Sequence, residues 1–187
     1  KEMTAILREL DRGTYQAPNK ITVAAWMAEW LSTFCEGKVK LLTFQSYQGI
    51  IKNHIVPAIG SLELQAVKGL HVQRLYNTMT RVGLSGKTVK NVSAVLHKAF
   101  SVALKQGIIA ANPCDAAELP KVEHKEIHPL ADDEIPLFLA AIDGSPMRNA
   151  YALCLFAGLR EGECLGLSWR QVDFEKGRIT VSQQLQR

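Results

Sequence analysis

Between Thr22 and Gly107 apolar side chains recur three and four positions apart, in blocks of which three end on Pro57, Gly83 and Gly107. That spacing is the period of an amphipathic helix and conflicts with the two-residue alternation of a half-buried strand. The stretch from Thr22 to Pro120 therefore reads as entirely helical. Thr22 is placed to N-cap VAAWMAEWLSTF, where Val23, Trp26, Met27, Trp30, Leu31 and Phe34 share a face. Thr43 is expected to cap FQSYQGIIKNHIV, which should stop at Pro57 because proline cannot continue a helix. Val72 to Val82 forms a third helix ended by Gly83. Ser85 starts a long fourth, GKTVKNVSAVLHKAFSVALKQ, closed by Gly107 where a left-handed C-cap is wanted.

The fourth helix sorts its side chains into two faces. Val89, Val92, Leu96, Phe100, Ala103 and Leu104 trace an apolar stripe, and Lys87, Asn91, Ala94, Lys98, Ser101 and Lys105 lie opposite. An ordinary surface helix intersperses acids with its bases; here no acid occurs between Glu63 and Asp115. From Gly37 to Pro113 there are ten basic residues and one acid, a net charge of +9, whereas Val122 to Arg187 carries −3. A compact domain so one-sided repels itself unless an anion meets it. Small, polar and basic side chains on one helical face suit the DNA major groove, about 12 Å wide. The competing reading is a solvated basic face kept for solubility.

Proline and glycine divide the chain into a charged connector over 1–19, a helical domain over 20–120, an interdomain linker over 121–129 and a second domain over 130–187. The boundary lies in NPCDAAELPKVEHKEIHP, Asn112 to Pro129, rich in proline and charge. Beyond it, Asp132, Asp133 and Glu134 open the helix IPLFLAAID, and Ser145 or Pro146 starts MRNAYALCLFAGL. GRITVSQQL reads as one strand whose sheet is not in this sequence. No apolar run approaches the ~20 residues of a membrane span. The charged start, KEMTAILRELDRG, has no signal-peptide core, so a cytoplasmic protein is expected. Cys35, Cys114, Cys154 and Cys164 are too dispersed for a Cys-x-x-Cys metal site, and Cys154 and Cys164 read as inert core thiols. His124 and His128, with Glu123 and Glu126, match no metal-ligand spacing and read as solvated linker. Trp26, Trp30, Trp169 and Tyr151 read as core aromatics. No metal and no cofactor is expected.

One stretch does not fit a plain core. In FAGLREGECLGLSW, residues 156–169, an apolar run ends abruptly in Arg160, followed by Glu161 and Glu163. A guanidinium delivered from a buried helix demands a carboxylate or an anion. From its residues alone, the bland reading is a buried Arg160–Glu163 ion pair holding a turn.

The segment GLREGECLGLSWRQVDFEKGRITV, residues 158–181, resembles the first catalytic-arginine segment of the tyrosine site-specific recombinases, the family of phage and conjugative-transposon integrases. An arginine follows Gly-Leu, an acid comes three residues later, and then Leu-x-Leu-x-Trp and Asp173 follow. Thr43, Tyr47, His54, Pro57 and Gly60 are similar to the core-binding domain of those integrases, and Asn112-Pro113 to its usual exit. The resemblance implies a mainly α fold: a four-helix, SAM-like core-binding domain followed by the α+β start of a catalytic domain. It implies that Arg160 binds the scissile phosphate and that Glu163 fixes its guanidinium. Duplex DNA is the implied partner, with Lys87, Asn91 and Lys98 at the groove and Lys40 and Thr43 at backbone phosphate. The family's catalytic lysine, His-x-x-Arg pair and nucleophilic tyrosine have no counterpart here. The expectation is thus an inactive DNA-binding fragment of an integrase that forms a 3′-phosphotyrosyl intermediate and assembles as a dimer or tetramer on DNA. Two rivals remain: an inactive DNA-binding regulator on the same scaffold, and a helical protein–protein adaptor.

Overall fold

The computed structural model describes residues 19–122, 126 and 128–185, which divide into two compact units, Lys1–His124 and Lys125–Arg187. The expected helix and connector over residues 1–18, and His124 and Glu123 of the dismissed metal cluster, lie outside the described residues.

The first unit is helical, as the periodicity requires. Helix α1 spans Val23–Trp30, and Thr22 Oγ1 accepts from the Ala25 amide at 3.2 Å as its cap. The chain then widens into a π turn over Leu31–Cys35, where the Glu36 amide reaches Leu31 O. Helix α2 spans Leu41–Ile50, widens again over Ile51–Ile55 and continues as the short α3, Val56–Ile59. Two expectations fail here. Lys40, not Thr43, occupies the N-cap of α2, and Thr43 sits inside the first turn. The helical path also passes Pro57. A proline inside an α-helix clashes with the carbonyl four residues back, and the wider turn, closed by the Val56 amide on Ile51 O, opens the spacing before it. Helices α4, Gly69–Arg81, and α5, Gly86–Lys105, follow the sequence pattern closely. Ser85 Oγ caps α5 through the Thr88 amide, and Gly107 takes φ +70° after its end.

The core lies where α1, α4, α5 and the segment Ile51–Ile59 face one another, with α2 packed half-buried against it. Trp26, Trp30, Tyr76, Phe100, Met27 and Ile55 are essentially excluded from water, and each such side chain contributes roughly 1.5–3 kcal/mol of transfer free energy. Trp26 also donates from Nε1 to Ala99 O at 3.1 Å, tying α1 to α5. Helix α5 buries Val89, Val92, Val95, Leu96, Ala99, Phe100 and Ala103. Leu104, assigned to the stripe, is 39% exposed, because the buried arc swings the other way to take in Val95 and Ala99. The Tyr76 hydroxyl is buried without a well-formed hydrogen bond. Burial pushes it up to about 12, and likewise the Cys114 thiol.

The run from Asn112 begins inside this unit rather than in solvent. Asn112 is 5% exposed: Nδ2 donates to His97 O at 3.1 Å and Ser101 Oγ at 3.0 Å, while Oδ1 accepts from the Cys114 amide at 3.1 Å. Further on, the Gln73 side chain brackets one residue: its Oε1 accepts from the Glu118 amide at 2.7 Å and its Nε2 donates to Glu118 O at 3.2 Å. Gly86 leaves room for the same strand of chain, since a Cβ there would stand 2.9 Å from Lys121 O.

The second unit comprises α6, Glu134–Ala141, α7, Arg148–Ala157, α8, Glu161–Leu165, and a hairpin of β1, Val172–Asp173, with β2, Arg178–Ile179. The strands are antiparallel, with Val172 opposite Ile179 and Asp173 opposite Arg178. The long strand expected over GRITVSQQL is therefore only two residues, and its partner is within this chain. After it, the Leu185 amide donates to Gly162 O at 2.7 Å, and Gln183 Nε2 to Gly166 O at 2.8 Å, laying the segment on α8. No described side chain of this unit is fully buried. Tyr151 is 45% exposed, edge-on to Phe138, and Trp169 is 82% exposed, stacked on Phe174, so neither is the core aromatic expected. A hairpin and three short helices provide no second layer over these rings. Cys154 and Cys164 are half-buried for the same reason; all four cysteines are free thiols.

Candidate functional site

Two groups of side chains stand out, one in each unit. In the first, Lys87, Asn91 and Lys98 are exposed on one face of α5, with Lys87 about 16 Å along the axis from Lys98 at ~1.5 Å per residue. Lys40 is exposed at the head of α2, and Thr43 is half-buried one turn before Tyr47. Lys98 links the two helices. Its Nζ lies 3.4 Å from the Tyr47 hydroxyl and 5.4 Å from the ring centroid, while Tyr47 stacks on Trp30 at 5.6 Å. Lys38 is used differently: it donates to Thr33 O at 2.8 Å, closing the end of the first helix, and lies over the Phe34 ring. Lys98 and Lys38 both act on the Cys35 thiol, opposing the burial that raises it.

None of the ten cations between Gly37 and Pro113 has a carboxylate within ion-pair distance among the described residues. The ion pairs found are His97–Asp115, Arg148–Asp143, Arg160–Glu163 and Lys176–Asp173. The face is therefore positive and uncompensated, suited to a polyanion. Tyr47 escaped notice as a site residue because its partner is on another helix, where sequence spacing carries no signal.

In the second unit Gly158, at φ +66°, ends α7, and Arg160 stands as the N-cap of α8. The Glu163 carboxylate closes this turn: Oε2 accepts from the Arg160 amide at 3.0 Å and Oε1 from Arg160 Nη1 at 2.9 Å. These two donors, the amide first, hold the Glu163 carboxyl below its usual range. The Arg160 side chain is 83% exposed, against 17% for that of Glu163. The expectation of a buried arginine is thus corrected. The apolar run before it is only half-buried, and one carboxylate fixes one edge of the fork while the rest faces solvent. Among the described residues no cluster of His, Cys, Asp or Glu gathers that could hold a metal ion. No described helix is long and apolar enough to cross a membrane.

Known proteins are similar to this chain. Residues 22–80 match the phage integrase N-terminal SAM-like domain. The chain is 31% identical over 173 residues to a XerC-like tyrosine recombinase of Caldanaerobacter subterraneus, covering 88% of this chain and 44% of that protein. It is 27% identical to an integrase of Saccharopolyspora erythraea, over all of this chain and 44% of that one. Among solved structures, the Tn1549 transposon integrase in complex with circular intermediate DNA superposes with a TM-score of 0.76 at 27% identity, covering 88% of this chain and 55% of that one. The chain thus spans less than half the length of these curated relatives. Through its helical unit and over most of its length, the chain is thus similar to the tyrosine recombinases and integrases.

Proposed function

We propose that this chain is the part of a tyrosine recombinase that grips duplex DNA at a recombination site and supplies the first phosphate-binding arginine. The remaining catalytic groups would come from outside residues 1–187, and the longer protein would assemble as a dimer or tetramer on DNA in the cytoplasm. In that reaction a tyrosyl oxygen attacks the phosphorus, the 3′ oxygen stays bonded, and the 5′ oxygen leaves with a proton. Attack by a 5′ hydroxyl reverses the step. One phosphoester is exchanged for another, so the cycle needs no nucleotide to drive it.

Arg160 suits its part for a physical reason. As phosphorus becomes five-coordinate, its non-bridging oxygens gain charge, and a planar guanidinium offers two donors to two oxygens at any working pH. Glu163 restrains the side chain in advance and compensates its charge while DNA is absent. One observation carries the reading: an exposed guanidinium, held by a single carboxylate, in a chain whose relatives are recombinases. Lys40, Thr43, Lys87, Asn91 and Lys98 would meet the duplex, a role supported by the lack, among the described residues, of a carboxylate paired with any of these lysines.

Anisotropy of labelled duplex DNA with the 187-residue chain tests this. The logarithm of affinity should fall with log salt at about −0.9 per phosphate contact, so several contacts mean a loss of roughly a hundredfold between low and physiological salt. Lys87→Glu and Lys98→Glu should each weaken binding at unchanged melting temperature. A flat salt titration would overturn the proposal.

A further inference from the structure

The contact between α2 and α5 carries more than packing. An ammonium has no lone pair, so in the Lys98–Tyr47 contact at 3.4 Å the tyrosyl oxygen must accept. The hydroxyl's own proton is then left for a second acceptor, and among the described residues none takes it. The ammonium keeps two further N–H groups, is exposed, and has no carboxylate partner among the described residues. Tyr47 cannot swing away freely, because its ring is stacked at 28° on Trp30, which is 1% exposed. We propose that Tyr47 and Lys98 form one two-donor subsite for a backbone phosphate of duplex DNA. In it the ammonium supplies the charge and the tyrosyl hydroxyl a directed hydrogen bond to the same phosphate.

This rests on the DNA-binding reading above and moves Lys98, expected at the groove, to the phosphate backbone. The other cations of the face differ in kind. Lys38 also lies over a ring, but Phe34 has no hydroxyl and the ammonium is already engaged by Thr33 O. Lys87 and Lys105 have no ring partner among the described residues. An exposed lysine must surrender side-chain freedom on binding, whereas Lys98 is partly ordered beforehand. The subsite should therefore contribute more than a free lysine does, and its two members should act together.

A double-mutant cycle on the 187-residue chain reads this directly, with duplex affinity measured across a salt series for Tyr47→Phe, Lys98→Ala and the double variant. Tyr47→Phe keeps the stack on Trp30, so its melting temperature should stay at the wild-type value. It should lower affinity about 10- to 100-fold at every salt concentration, the effect of one hydrogen bond to a charged partner. Its salt slope should be unchanged because no charge is lost. Lys98→Ala should reduce the slope by about 0.9, and in that background Tyr47→Phe should cost less than about twofold, because the two effects are coupled. Additive effects, or a silent Tyr47→Phe, would overturn the subsite. If Lys98→Ala left affinity and slope unchanged while the wild type bound with a steep slope, the subsite would fall and the DNA-binding reading would stand. A salt-independent wild type would remove that reading, and the subsite with it.

Discussion

Asn112→Ala removes a buried polar side chain of the first unit and, with it, three hydrogen bonds. The costs differ. The His97 carbonyl lies within α5, and Ser101 Oγ remains beside His97 Nδ1 at 3.3 Å, so both keep other partners. The Cys114 amide does not: Cys114 is 7% exposed, and Asn112 Oδ1 is the acceptor that satisfies its N–H. One stranded amide costs about 1–3 kcal/mol and each of the two ordinary lost bonds about 0.5–1.5 kcal/mol, giving a total of roughly 2–6 kcal/mol. For a unit of about a hundred residues this corresponds to a fall in Tm of roughly 10–30 °C. Urea and thermal unfolding followed by circular dichroism measure it. Asn112→Asp offers a second view, since it keeps an acceptor for Cys114, loses both donors and turns an anionic oxygen toward His97 O. It should be at least as damaging at neutral pH and less so in acid, where protonation restores one donor. A loss below about 0.5 kcal/mol for Asn112→Ala, the size of an ordinary surface change, would refute the argument that this side chain pins the exit of the helical unit.

Two further predictions concern the second unit. In a protein carrying the complete catalytic set, Arg160→Lys should leave melting temperature and DNA affinity near wild type while single-turnover cleavage falls on the order of 10²–10³-fold, the loss of one preorganised donor; a destabilised but active variant would reduce Arg160 to a structural partner of Glu163. Glu163 is held below its usual range in the folded state. Its contribution should thus be complete above its unfolded value of about 4.3 and disappear as pH falls through the folded one. In urea unfolding from neutral pH downward, the difference between wild type and Glu163→Gln should shrink toward zero in acid, and a constant difference would exclude the carboxylate as its source.

The helical unit was largely legible in the sequence because its signals are local. Thr22 and Ser85 cap as their side chains dictate, and the stripe of α5 follows from spacing alone. The errors arose where a neighbour overrides the local rule. Pro57 should end a helix, yet a π turn before it absorbs the clash. Thr43 has a capping side chain, but the chain enters helix three residues sooner, at Lys40. Leu104 and Val95 traded places because the partner helices set the centre of the buried arc. In the second unit, apolar composition was read as burial. Trp169 and Tyr151 are apolar and exposed, since composition does not say whether a covering layer is present. At the candidate sites, the Arg160–Glu163 spacing was readable because it spans one helical turn. The Tyr47–Lys98 contact spans 51 positions and was not.

The uncompensated cations of the helical unit have a consequence for the protein when nothing is bound to it. Like charges crowded on one small body raise its electrostatic self-energy, and the folded state bears more of that repulsion than an expanded chain does. Dissolved ions relieve it, because at 0.15 M the Debye length is about 8 Å, shorter than the span of α5. On the proposed reading, ionic strength would therefore act on this domain with two opposite signs, loosening its hold on a polyanion while steadying the free fold. A polyanion bound along α5 would itself serve the domain as its missing set of acidic side chains.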